Sequence, residues 1–348
     1  MLNHKLQTNI LKTALTIVSL LLIVTFNTAY ALDASGSRTL TADNIRQVLN
    51  DAHAKFKDNK DGKNADYIKA LADVDPKLFG ITVVTVDGNI YQAGDTKSEF
   101  SIQSISKVFT AAKAMQQHGA DAVQKKIGAS ATGLAFNSII AIEQQPTRAG
   151  NPFVNAGAIA STSLIEAKDG AQRWDIIKSN MDAFAGRNLE FNDVVYQSEV
   201  NDNKRNQAIS KLLDAYGRMY ADPLETTTIY TKQCSVNVSA HDLAVMGATL
   251  ANHGVNPVTK KKVIDSQYPK HVLALMATAG LYDGAGDWLY NTGTPAKSGV
   301  GGGIVAVVLG KLAIGVFAPP LDSLGNSVKG QLAAEYIIKE LGLNPFDQ

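Results

Sequence analysis

The chain of 348 residues is 45% hydrophobic and 19% charged, with a formal charge of +1 and no long run of one sign. That balance describes a globular chain and supplies no basic surface for nucleic acid, which is not expected as a partner. The single cysteine, Cys234, excludes an intramolecular disulfide, and with only six scattered histidines there is no thiolate-based metal cage. The length suits either two average domains or one large α/β domain with an insertion, and no internal repeat or low-complexity tract is present.

At the N-terminus, Lys5 and Lys12 precede an apolar run from Ala14 to Phe26, followed by Ala29-Tyr30-Ala31. A basic start, a short apolar core and a small-x-small site form the layout of a secretory signal peptide. As a helix the run would reach only about 20 Å, against a hydrocarbon core of roughly 30 Å. The expectation is a signal peptide over residues 1–31, cleaved after Ala31, and a periplasmic or secreted product with no stable membrane span.

Thr41 then opens a helix carrying Ile45, Val48, Leu49, Ala52 and Phe56 at helical spacing. A polar loop, 58–66, leads to the β-branched strand Gly80–Val86, which ends on the hairpin signal Asp87-Gly88 before Ile90-Tyr91. A helix over Ser104–Met115 follows. From there to about Tyr282 the pattern is mostly helical, with loops at Asn151-Pro152, Asn201–Arg205 and Asp222-Pro223. Strands return as Ile304–Leu309 and Leu312–Phe317 around Gly310-Lys311. A closing helix from Ser327 buries Val328, Leu332, Ala333, Tyr336, Ile337 and Leu341 and stops at Gly342. The sheet is thus built from both ends of the chain and is largely antiparallel. The expected architecture is α/β (α+β): a single domain over 32–348, with a sheet lobe at about 40–118 and 283–348 and an inserted helical lobe at about 119–282.

Ser104-Ile105-Ser106-Lys107 has the form S-x-x-K, which on a helix sets both side chains on one face. A serine hydroxyl needs a neighbouring base to attack, and a lysine serves only when desolvation or a nearby cation lowers its pKa. Lys297-Ser298-Gly299-Val300-Gly301-Gly302-Gly303 leads into the later strand, and its glycines allow close backbone approach and the aiming of N–H groups at an oxyanion. S-x-x-K followed by K-[ST]-G on a strand is the arrangement of penicillin-binding proteins and class A β-lactamases, and it points to acyl transfer. Ser235-Val236-Asn237 has their S-x-N form, but Ser239-x-x-Asp242 beside it reads as a capping box, so this stretch is taken as a helix start with His241 in its first turn. Cys234 reads as a small packed residue.

Several longer blocks resemble the serine-dependent glutaminase family: YIKALA at Tyr67–Ala72, Phe79–Gly94, FSIQSISKVF at Phe100–Phe109, NPFVNAGAI at Asn151–Ile159, Glu199–Asn206, YTKQCSV at Tyr230–Val236, AGLYDG at Ala279–Gly284 and PAKSGVGGG at Pro295–Gly303. They occur in the family's order and span nearly all of 40–342. The resemblance implies a β-lactamase-like fold and hydrolysis of L-glutamine to L-glutamate and ammonia, with no cofactor. It implies Ser104 as nucleophile, Lys107 as its base and Tyr282 as proton relay. Tyr67, Asn155, Glu199, Asn206 and Tyr230 would contact substrate, and the Val300 amide would receive the oxyanion. A homodimer or homotetramer is expected. A zwitterionic substrate requires an anion for its ammonium, here Glu199, and neutral donors for its carboxylate. Bacterial members are expected in the cytoplasm, so the export signal sets this chain apart. Two other readings stand beside this one: an exported serine β-lactamase or D,D-peptidase, and a non-catalytic amino-acid-binding protein.

Overall fold

The computed structural model describes residues 40–201 and 203–347; the signal-peptide segment lies outside them. Helix α1 (Ala42–Phe56) begins at Thr41, whose hydroxyl accepts from the Asn44 amide at 3.3 Å, and it buries Ile45, Val48, Leu49 and Ala52. Strands β1 (Gly80–Thr85) and β2 (Ile90–Gly94) form the first hairpin. Gly88, at φ +91°, supplies the left-handed residue of its turn. At the far end of the chain come β5 (Ala296–Gly299), β6 (Gly303–Val308) and β7 (Leu312–Phe317). The sheet order is β2-β1-β7-β6-β5, with every neighbour antiparallel, so β1 and β7 join the two ends of the chain at its centre. A two-residue strand, β3 (Phe100–Ser101), pairs separately with β4 (Asn237–Val238).

β6 and β7 are buried along their whole length because helices cover both faces. Ile304, Ala306, Ile314 and Val316 face α1 and the final helix α10 (Val328–Glu340), whereas Val305, Val307, Ala313 and Phe317 join the core on the other side. α10 is capped by Ser327, which accepts from the Gly330 amide at 3.1 Å. It buries Ala333, Ile337 and Leu341 as expected, with Gly330, Ala334 and Ile338 beside them. Val328, Leu332 and Tyr336 are only partly covered.

The other face is covered by α8 (Ala240–Ala251), which starts at a full Ser239/Asp242 capping box. Its residues fall in the span read as the helical lobe, yet it packs on β1, β6 and β7. The remaining helices that position the site are α2 (Ser106–His118), α3 (Asn155–Leu164), α4 (Gly170–Ala185), α5 (Asp193–Val200), α6 (Lys204–Ala215), α7 (Pro223–Cys234) and α9 (Pro269–Ala279). Two of these start inside expected loops. Lys204 opens α6, and Pro223 is the first helical residue of α7 behind an Asp222 cap, a position where proline's missing N–H costs nothing. Among the described residues no helix is long and apolar enough to cross a membrane.

Gly315 is where the helix meets the sheet most closely: a Cβ there would run into the Ala240 carbonyl and the Ala244 amide of α8. Gly286, on the helix Ala285–Thr292, has open space around it and an ordinary φ. Gly315→Ala should therefore destabilise by about 1–3 kcal/mol, whereas Gly286→Ala should be neutral or stabilise by up to about 1 kcal/mol. Denaturant unfolding of the two variants, read against the parent chain, checks the contrast.

Candidate active site

Ser104 does not sit on an α-helix. It occupies a single 3₁₀ turn, Gln103–Ile105, that leads into α2 with Lys107 in the first α-helical turn. The turn is wedged against β5 and the segment after it. A Cβ on Gly299 would stand 2.8 Å from the Ile102 carbonyl, one on Gly301 would run into the Ser101 carbonyl, and one on Gly303 would stand 2.6 Å from the Phe100 ring. Three of the glycines read as freedom for a ligand are thus needed for backbone and side chains to pass the nucleophile's segment. Lys297-Ser298-Gly299 lies on strand β5, as K-[ST]-G on a strand was expected to.

Lys107 is 1% exposed, and its Nζ donates to Asn155 Oδ1 at 2.7 Å rather than to Ser104. Burial, with no carboxylate partner among the described residues, pulls its pKa down to about 8, and Cys234 acts in the opposite sense. Asn155, the first residue of α3, gathers the polar side chains nearby. Its Oδ1 also accepts from Tyr230 Oη at 3.1 Å, and its Nδ2 donates to Asn206 Oδ1 at 3.0 Å. Tyr282 is buried beside the nucleophile with a left-handed φ of +56°. Burial drives its phenol well above the ordinary value, and a hydrogen bond with Ser104 works against that rise.

A cavity of about 740 Å³ opens onto these groups. Ser104, Asn155, Glu199, Asn206, Tyr230, Val300 and Tyr67 all line it, with Tyr67 more than half exposed at the rim. Of the residues singled out in the sequence, Lys107 and Tyr282 stand behind this surface, one held by Asn155 and the other against Ser104 and the Phe136 ring. Glu199, on α5, is largely enclosed. Desolvation lifts its carboxyl to about 7, and a hydrogen bond from Gln103 pulls the other way. Cys234 lines the cavity as well, but burial pushes its thiol up to about 12, which leaves it un-ionised and unsuited to attack.

Sequence reasoning passed over two side chains. Gln103, at φ +50°, donates from Nε2 to Glu199 Oε1 at 2.6 Å and to Ser101 Oγ at 3.1 Å. Lys297 was noted only as part of a glycine-rich motif. It is fully buried, donates to the carbonyls of Ser298 at 2.7 Å and Gly280 at 2.8 Å, and lies 4.1 Å above the centre of the Tyr282 ring. Burial first, and repulsion from Lys107 second, push its pKa well down. The position of Lys297 within K-S-G was the available signal; nothing in the local sequence singles out Gln103.

An antiparallel sheet closed by both chain ends, with S-x-x-K at a helix start and K-S-G on the edge strand beside it, defines a serine β-lactamase-like protein. The Glutaminase family model matches residues 62–346. A glutaminase of Colwellia psychrerythraea is 52% identical over 302 residues, covering 87% of this chain and 97% of that one, and Glutaminase 1 of Shigella flexneri is 47% identical over 307 residues, covering 88% and 99%. Among solved structures, a probable glutaminase superposes with a TM-score of 0.87 at 47% identity, covering 88% of this chain and 99% of that one. A probable glutaminase from Bacillus subtilis, complexed with 6-diazo-5-oxo-L-norleucine, gives 0.79 at 29% identity over 89% and 99%. The chain belongs to the glutaminase family.

The raised Glu199 carboxyl has a stability consequence. Between its ordinary value of 4.5 and about 7 the folded state holds a proton that the unfolded chain has released. This contribution is fully present below 4.5 and is lost as pH rises through 7, with a slope of at most about 1.4 kcal/mol per pH unit. Glu199→Gln removes it. Urea unfolding of the ligand-free protein should show the parent losing stability relative to the variant from pH 4.5 to 7; parallel curves would place the titration elsewhere.

Proposed function

We propose that the chain hydrolyses L-glutamine to L-glutamate and ammonia through a γ-glutamyl ester on Ser104. The observation that carries this reading is one cavity that holds a serine with a buried amine behind it, an enclosed carboxylate, and a cluster of neutral amide and phenol groups. A free amino acid requires that set: Glu199 for the α-ammonium, and Asn155, Asn206, Tyr230 and Tyr67 for the carboxylate end. The ligand in the Bacillus subtilis relative is itself a free α-amino acid, with a side-chain carbonyl at the carbon corresponding to glutamine's amide.

Lys107 acts as a neutral amine. One N–H stays on Asn155, leaving the lone pair free for the Ser104 proton. As Ser104 Oγ bonds to the amide carbon, the carbonyl oxygen takes on negative charge and is received by the backbone amides of Ser104 and Val300. The proton passes through the Lys107–Tyr282 neighbourhood to the departing nitrogen, the C–N bond breaks and ammonia leaves. Water then attacks the ester, Lys107 takes its proton, the C–O bond to Ser104 breaks and the hydroxyl is restored. The proposal extends to the setting: residues 1–31 direct export and are removed after Ala31, and the domain works as a homodimer or homotetramer. The intact mass of the exported product, together with its sedimentation, tests both points.

Ammonia release from L-glutamine by the mature protein tests the reaction; binding without release would leave an amino-acid receptor. Ser104→Ala should lower kcat by at least about a thousandfold, since without the nucleophile only binding and oxyanion contacts are left to accelerate the reaction over that in water. Lys107→Arg should be nearly as damaging as Lys107→Ala, because arginine cannot give up its proton. A substantial rate in the arginine variant would mean that Lys107 only neutralises charge.

The pH profile follows from the same groups. Lys107 is competent above about 8 and Glu199 is ionised above about 7. kcat/KM for glutamine should therefore fall on the acid side, first through 8 and more steeply below 7, with Glu199→Gln removing the second fall. Steady-state assays from pH 6 to 9.5 read both inflections.

A further inference from the structure

We infer that Asn326 is a positioning residue for proton delivery: it fixes the peptide group that enters Tyr282 and so holds the Tyr282 phenol at Ser104. The inference rests on the hydrolase reading above and adds to it a side chain that lies outside the cavity lining.

Tyr282 opens a single 3₁₀ turn, Tyr282–Gly284, with its backbone in the left-handed region at φ +56°. A residue other than glycine stays there only when its surroundings over-determine it. Here the two peptide groups ahead of it are held from outside the turn. The Gly280 carbonyl accepts from Lys297 Nζ at 2.8 Å and from the Ser298 amide at 3.2 Å. The Leu281 carbonyl accepts from the Gly284 amide at 3.0 Å and from Asn326 Nδ2 at 3.4 Å. This second peptide group is planar and carries the Tyr282 N–H, so turning it changes the Tyr282 φ and swings the ring. Lys297 acts on the first group, and Asn326 supplies the side-chain contact to the second.

Asn326 is 1% exposed, and its Oδ1 accepts from Ser298 Oγ. One amide thus spans the K-S-G strand and the peptide that enters Tyr282. The Ser298 carbonyl, which holds Lys297 Nζ at 2.7 Å, also lies 3.5 Å from Tyr282 Oη. The segment that carries Asn326 is closed without help from this side chain. Asp322 Oδ1 accepts from the Leu324 and Asn326 amides at 2.9 Å each, and its Oδ2 accepts from Gln331 Nε2 at 2.8 Å. The Asp322 amide donates to the Asn326 carbonyl at 2.8 Å. The Asn326 side chain is left to reach across to the tyrosine. Gly325 brings the same segment against the ring: a Cβ there would lie 3.8 Å from Tyr282 Cε2 and 3.5 Å from Val300 Cγ1.

The chemistry says what this alignment is for. The proton taken from Ser104 Oγ must reach the departing nitrogen as the C–N bond breaks, because ammonia is a feasible leaving group and its anion is not. An ester makes a weaker demand, since an alkoxide can leave first and take its proton from water afterwards. Misplacing Tyr282 should slow the amide far more than the ester.

The test measures kcat/KM for L-glutamine and for L-glutamate γ-methyl ester in the mature protein, in Asn326→Asp, in Asn326→Ala and in Tyr282→Phe. Asn326→Asp keeps an acceptor for Ser298 Oγ but has no N–H for the Leu281 carbonyl, and Asn326→Ala removes both contacts. General acid–base transfer is worth about 10²–10⁴-fold and a misplacement of about 1 Å can cost about a hundredfold, so kcat/KM for glutamine should fall about 10- to 100-fold in both Asn326 variants while the ester stays within about threefold of the parent. Tyr282→Phe should show the same selectivity with a larger loss. Both substrates are read on one preparation, so a smaller folded fraction lowers both equally and leaves their ratio unchanged. A ratio at its parent value in Asn326→Asp overturns the inference. An unselective loss in Tyr282→Phe overturns the relay, and the inference with it. Absence of ammonia release from glutamine by the parent protein overturns the hydrolase reading instead, whatever the ester shows.

Discussion

An amine buried with no carboxylate beside it among the described residues is the constraint on which the site depends. Lys107 could have been neutralised by an acidic neighbour, but its partners are an amide oxygen and, at 5.8 and 5.9 Å, the rings of Tyr230 and Phe136. Its position in the first turn of α2 adds to this, because the positive end of a helix dipole disfavours a cation. Glu199, the enclosed acid among the described residues that line the cavity, is instead bonded to Gln103. The walls of the cavity come from α3, α5, α6, α7 and the segment that follows β5.

Lys297 repeats the motif on the sheet side: a second buried amine held by two carbonyls and an aromatic face. Lys329, on α10, is a third, and it donates to the Pro76 carbonyl at 3.2 Å. They serve different ends. Lys329 fastens a loop to a helix and does not line the cavity, whereas Lys297 lies beneath Tyr282, whose own backbone is held in the left-handed region. Amines suit such places because a long apolar stem can be buried while its N–H groups satisfy carbonyls that would otherwise be orphaned.

Much of the fold was legible because its signals are local. Thr41, Ser239 with Asp242, and Ser327 cap the helices they were expected to start, and Asp87-Gly88 and Gly310-Lys311 turn the hairpins they were expected to turn. The composition of the site was legible through S-x-x-K, K-S-G and the longer family blocks. What escaped is tertiary. Helical spacing placed Ser104 and Lys107 on one face, but the neighbouring β5 end forces the nucleophile into a 3₁₀ turn and the lysine amine onto Asn155. α8 has the pattern of any apolar helix, and only the space made by Gly315 and Gly247 shows that it belongs on the sheet. Gln103 is an ordinary polar residue until its φ and its reach to Glu199 are seen.

The pairing of β1 with β7 also governs when the molecule can exist. Thr82 at the centre of β1 lies opposite Gly315, more than two hundred positions later, and β7 is in turn the strand that β6 requires. A ribosome that has made the nucleophile and every polar side chain around it still holds a chain without its central sheet, since residues up to Phe317 must emerge before the first hairpin gains a neighbour. The helical segments in between can form locally, but β5, against which the nucleophile's turn packs, has no completed sheet until the last tenth of the polypeptide arrives. Assembly of the central sheet is therefore a terminal event in synthesis.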